Sequence, residues 1–185
     1  SASGWQRLVP DWIDTLSEFS ISQLHMRDFA HSKGEFAGWN EHKRRAFFSR
    51  LVGLMNRDID AYIGEAMLLP DEWHERPDEL QARLKDPYYG CLIYCLMTII
   101  SYSAQAANFQ KINVVLAHHP EYSGWANAVF QAMRENEDGG NRLGSLSFDS
   151  PVDLVQLQAA DLVAYELQHY VNDSRYKGKS KKRWA

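Results

Sequence analysis

The chain has 185 residues, 45% of them hydrophobic and 24% charged, a globular composition that excludes disorder over most of its length and can build one domain with a sizeable core. The formal net charge is −4, yet six basic residues and no acid stand from Arg175 onward, so the remainder carries −10. That balance argues against a broad non-specific nucleic-acid surface on the body. Cys91 and Cys95 are the only cysteines, which excludes a disulfide framework and favours a reducing compartment. The expectation is a single domain over 1–174 followed by a basic tail over 175–185.

In chain order, Leu8, Trp12 and Leu16 recur at helical spacing and predict a helix from Trp5 to Phe19 despite Pro10. A short segment, Ser22 to Met26, leads into a polar and aromatic loop through Trp39. Asn40 opens a helix to about Ile59, with Phe48, Leu51, Val52, Met55 and Ile59 expected on its buried side. Ala61 to Leu69 reads as a buried strand closed by Pro70, and the charged stretch Asp71 to Pro87 as a short exposed helix between turns. Tyr88 to about Asn108 is an uncharged helix. Its solid apolar run extends only from Cys91 to Ile100, too short for a membrane span, so a buried helix with both cysteines on one buried face is expected. Ile112 to Ala117 is the clearest strand; Glu121 to Arg134 is helical, Asn136 to Gly144 turn-rich, and Leu143 to Phe148 a second short strand. Alternating strands and helices imply an α/β layer architecture. The N-terminus has no basic segment followed by an apolar run, so the expected location is cytoplasmic, with no membrane partner.

The final helix carries the strongest chemical signal. In FDSPVDLVQLQAADLVAYELQHY, Ser150 suits an N-cap, Pro151 the first helical position and Asp153 a capping-box acid. That register places Asp161 among Leu154, Leu157 and Tyr165, on the apolar face, with Gln158 one turn earlier. A carboxylate there needs a partner: an Arg, backbone donors, or a metal or catalytic group.

Two other clusters bear chemistry. LHMRDF places His25 and Asp28 three apart after an extended segment, where they can coordinate a cation, orient a water or hydrogen-bond each other. HHPEY places His118, His119 and Glu121 beyond the clearest strand, where open α/β sheets bind ligands, although Glu121 is also a favourable first-turn acid. Lys43, Arg50 and Arg57, seven apart on one helix, form a basic stripe that is either a solvated face or a nucleic-acid track. No phosphate-binding glycine loop, nucleophile elbow or paired CxxC motif occurs.

Three segments in order, WIDTLSEFSISQLHMRDF, the hydrophobic strand with HHPEY, and FDSPVDLVQLQAADLVAYE, together resemble the DUF3800 family of prokaryotic proteins. The resemblance spans nearly the whole chain. Its most specific part maps onto Leu157, Gln158, Ala160, Asp161 and Ala164, with His25 matching the family's His-containing element. It implies a ribonuclease H-like mixed sheet flanked by helices. No strand with the family's acidic opening motif precedes Trp5, so on this resemblance the expected fold has lost its first strands, was cut to a fragment, or has them supplied elsewhere.

The activity the resemblance implies is metal-dependent hydrolysis of nucleic-acid phosphodiesters with Mg²⁺ or Mn²⁺. Asp161 would then be a metal ligand with Glu121 and Asp149, and His25 would act with Asp161 in catalysis. Asp28, Gln158, His118 and His119 would support them, and Lys43, Arg50 and Arg57 would bind nucleic acid. Ala117 stands where many members have an acid. The alternative is therefore a catalytically incomplete ribonuclease H-like module that binds a protein or nucleic-acid partner.

Overall fold

The computed structural model describes residues 2–62, 79, 86–106, 110–135 and 139–175. In chain order these form α1 (Ala2–Glu18), α2 (Met26–His31), α3 (Glu41–Asp58), α4 (Pro87–Gln105), β1 (Ile112–Ala117), α5 (Ser123–Arg134), β2 (Leu143–Asp149) and α6 (Val155–Arg175), with short 3-10 turns at Gly34–Phe36 and Gly140–Arg142. The class is α/β and mostly helical. Of the mixed sheet that the resemblance implies, the described residues contain two parallel strands. The chain divides into two compact units, Ser1–Tyr62 with Ser150–Ala185, and Ile63–Asp149.

The first unit is helical. The row Leu8, Trp12, Thr15 and Leu16 buries one face of α1, as the helical spacing predicts. Pro10 sits on the exposed side, where the lost backbone donor is cheapest. Asn40 caps α3 by accepting the Lys43 backbone N–H at 2.8 Å.

The buried row of α3 differs from the expected one: Phe47, Leu51, Leu54, Met55 and Asp58 are buried, while Phe48, Val52 and Ile59 lie at its flank. Both rows are apolar, so periodicity could not choose between them. Tertiary packing does, because Phe47 meets the rings of Phe19, Phe29, Phe36 and Trp39 at 5.2–6.1 Å. Phe48 and Val52 instead line an apolar groove of about 380 Å³ together with Leu162 and Val163 of α6.

Helix α6 also starts later than the sequence signals suggest, at Val155. The Ser150 carbonyl accepts from the backbone N–H groups of Asp153 and Leu154, and Ser150 Oγ accepts from Val152 at 3.1 Å. Ser150 and Pro151 therefore build a separate turn before the helix, and Asp153 is not a capping-box acid. This turn is secured from inside the helix, where Gln158 Nε2 donates to the Pro151 carbonyl at 2.8 Å.

The second unit is a β-α-β arrangement. β1 and β2 run parallel from Ile112 opposite Leu143 to Ala117 opposite Asp149, and α5 provides the crossover. Ile112, Val114 and Leu116 face a core made with Tyr89, Leu92 and Leu96 of α4, Ala126 and Phe130 of α5, and Leu143. Asp86 caps α4 through the Tyr88 backbone N–H at 2.8 Å, with Pro87 at the first position. The two cysteines are half-buried rather than on the buried row and form no disulfide with each other, because that row is set by Tyr89, Leu92, Leu96 and Ser103.

Ala61 and Tyr62 are not in a strand, and the remainder of the expected strand to Leu69 lies outside the described residues, as do nearly all of the expected helix over Asp71–Pro87 and the basic tail beyond Arg175. Among the described residues no helix is long and apolar enough to cross a membrane.

Candidate active site

The site grows from three residues of extended chain. His25, at φ −123° and ψ 111°, ends the segment that enters α2. In an extended segment alternate N–H groups point the same way, and here α6 takes two of them. Gln158 Oε1 accepts the Leu24 N–H at 2.9 Å, and Asp161 Oδ2, one turn later on α6, accepts the Met26 N–H at 2.8 Å. The two side chains thus hold the segment as a neighbouring strand would.

Gln158 is 1% exposed, and both polar atoms of its amide are hydrogen-bonded. Its oxygen also accepts from Trp12 Nε1 at 3.1 Å, while its nitrogen donates to Pro151. Pairing of both the oxygen and the nitrogen is what makes a buried amide tolerable.

Asp161 is not buried as its register suggested. Its side chain is 40% exposed, and His25, 55% exposed, brings Nδ1 to 3.7 Å from Asp161 Oδ2. At that exposure water reaches the carboxylate, so the charge is met by solvent, one backbone dipole at the start of α2, and an imidazole. Of the expected site residues, the structure brings His25, Gln158 and Asp161 together from positions more than 130 apart in the chain. Asp28 lies in the first turn of α2, and its carboxylate faces Gly34.

Glu121, Asp149, His118 and His119 belong to the other unit. There the register pairs Ala117 with Asp149 at the ends of the strands, and the His118 N–H donates to the Asp149 carbonyl at 2.9 Å. The His119 ring packs on Tyr122 at 4.7 Å, and Glu121 is exposed just ahead of α5. Among the described residues no group of three or more His, Cys, Asp and Glu side chains is arranged to hold a metal ion.

The basic stripe on α3 is spent unevenly. Lys43 Nζ lies 4.0 Å over the Trp39 ring and donates to the Phe19 carbonyl at 3.3 Å. Arg57 is tied to Asp11 at 2.6 Å and to Asp58 through its Nε at 2.9 Å. Arg50 is exposed to solvent.

Sequence reasoning missed Asp58. Its side chain is completely buried and carries Arg57 on one oxygen and Arg7, at 2.8 Å, on the other. The Arg57 hydrogen bond, reinforced by Arg7, holds this carboxyl below its ordinary value of 3.8 against the opposing effect of burial. The available signal was the spacing itself, since Asp58 completes the row Phe47, Leu51, Leu54 and Met55.

The comparisons with known proteins add no assignment: no family model, no curated protein and no solved structure matches this chain.

Proposed function

We propose that the chain is a hydrolase of nucleic-acid phosphodiesters, of the ribonuclease H-like type its sequence resembles, with His25 and Asp161 at the centre. One observation carries this reading: Asp161, from the most specific segment of that resemblance, and His25, from its His-containing element, meet at 3.7 Å in a solvent-open position. Asp161 is oriented by the Met26 N–H, and it in turn orients the His25 ring as the proton-transfer group. Because Nδ1 faces the carboxylate, Nε2 is the ring nitrogen that serves an attacking water or a leaving oxygen. Arg50 supplies positive charge toward a phosphate backbone.

Mg²⁺ or Mn²⁺ is the cofactor implied for this class. His25 and Asp161 contribute one nitrogen and one carboxylate, short of the oxygen-rich set that either ion prefers. The described residues therefore do not complete a metal centre, and no step of the proposal runs through one.

A second reading, a catalytically incomplete module that binds a partner, draws on a different observation. Gln158 and Asp161 each commit an oxygen to the backbone of the segment over 24–26, which is a structural duty. The two readings separate in one experiment: cleavage of mixed single- and double-stranded DNA and RNA with Mg²⁺ or Mn²⁺, alongside Asp161→Asn and His25→Ala. Loss of cleavage in both variants with the fold intact supports the hydrolase. Undiminished cleavage in Asp161→Asn overturns it, and partner binding without any cleavage supports the module.

A further inference from the structure

We propose that Glu35 is a positioning residue for His25: its carboxylate anchors the bend at Ser22 and, with Gln158 and Asp161, completes a side-chain edge that sets where the His25 ring stands. What His25 does there rests on the hydrolase reading; where it is held does not.

Three backbone donors define the edge. The N–H groups of Ser22, Leu24 and Met26 are each accepted by a side chain, from Glu35, Gln158 and Asp161 in turn. Glu35 takes the Ser22 N–H on both oxygens, at 3.0 and 3.1 Å, and Ser22 Oγ donates to its Oε2 at 2.9 Å. Every second donor over 22–26 is therefore claimed. Leu24 and Met26 are buried, and alternation along the extended chain turns His25, between them, outward beside Asp161. A slip or rotation of the segment would carry the ring away from the carboxylate.

Glu35 is itself held in place. It belongs to the 3-10 turn over Gly34–Phe36, where positive φ at Ser32 and Gly34 reverses the chain after α2. Phe36 is buried with its ring 5.3 Å from Phe29 and 5.2 Å from Trp39, and the Lys33 N–H donates to the Asp28 carbonyl at 2.9 Å. The exposed carboxylate thus projects from a turn tied both to the core and to α2. Its bonds to Ser22 close a loop around α2, from the bend before it to the turn after it.

Closure matters because α2 has six residues. A helix this short does not sustain itself in water, so its placement comes from its ties. Gln158 and Asp161 hold the segment over 24–26 from α6, and Glu35 holds its upstream end. Without Glu35 the exposed Ser22 groups would turn to water, at small cost to the fold as a whole. The loss would fall on the order of 22–26, because a segment with few buried contacts opens locally rather than with the core.

Backbone hydrogen exchange of the whole chain, read by NMR in Glu35→Ala and Glu35→Gln, tests the assignment. In Glu35→Ala the Leu24 and Met26 amides should exchange about tenfold faster, while Leu51 and Met55 of α3, which report on the core, stay unchanged. The His25 ring signals should move toward those of Asp161→Asn, in which the ring has lost its charged neighbour. Glu35→Gln keeps an acceptor for Ser22 and should restore both patterns. If the parent cleaves nucleic acid, Glu35→Ala should lower kcat about tenfold at nearly constant KM, and Glu35→Gln should recover most of it. The exchange and ring effects in a parent that cleaves nothing support the positioning role and overturn the hydrolase reading instead. Leu24 and Met26 exchange equal to the parent's, His25 ring signals unmoved in Glu35→Ala, or an unchanged kcat overturns the proposal. Equal acceleration at Leu51 and Met55 also overturns it, since that marks a general loss of stability.

Discussion

Asp161 Oδ2 accepts the Met26 backbone N–H at 2.8 Å across 135 positions of sequence. The contact places one oxygen of the carboxylate at the entrance of α2, where the helix dipole favours negative charge. It also makes Asp161 both a structural acceptor and a neighbour of His25, and substitutions can separate these roles.

Asp161→Asn keeps an acceptor oxygen for Met26 and removes the charge. Stability should stay within about 1 kcal/mol of the parent, while cleavage falls by roughly two or more powers of ten if the hydrolase reading holds. Asp161→Ala removes the acceptor as well and should cost about 0.5–1.5 kcal/mol, moderated by water reaching the site. Denaturant unfolding beside a cleavage assay checks both.

Gln158→Leu has a larger predicted effect on stability. It strands the Leu24 N–H and Trp12 Nε1, both of which donate to one buried oxygen. A loss of about 2–4 kcal/mol is expected, read as a lower midpoint with an unchanged denaturant slope. Fluorescence should report a changed environment for Trp12.

Asp58 should make the first unit acid-sensitive. Its folded carboxyl titrates below 3.8 because Arg57 and Arg7 favour the charged form. A depressed carboxyl contributes stability that is fully present above its unfolded value and is lost as pH falls through the folded one. The expected melting temperature therefore declines below about pH 4. Asp58→Asn should remove that component and lower the melting temperature at pH 7 by roughly 5–10 °C. A melt series over pH, parent against variant, is decisive.

The three basic residues of α3 should not behave alike. Arg50→Ala should reduce the salt dependence of nucleic-acid binding by about 0.9 in slope, the share of one phosphate contact, and leave stability unchanged. Arg57→Ala should instead destabilise, since it leaves buried Asp58 with Arg7 alone. Equal effects of the two on melting would contradict this division.

Much of the fold was legible because it rests on local patterns. The row Leu8, Trp12 and Leu16 marked α1, Asn40 marked the start of α3, and the β-branched run over Ile112–Ala117 marked β1, which has those very bounds. Each signal lies within a few residues of the structure it specifies. Local patterns failed where two solutions were equally apolar or equally well capped, as with Phe47 against Phe48 and with the start of α6.

The sequence by itself marked most of the helical and extended segments, though not α2, which lies where a loop was expected, and it singled out His25, Gln158 and Asp161 as chemically unusual, because periodicity and residue type act over short range. Tertiary structure alone decided that Asp161 is half-exposed, that it meets His25, and that Arg57 is committed to Asp58. Those outcomes depend on side chains brought together from distant positions, whose solvation and pairing are settled only when the elements pack.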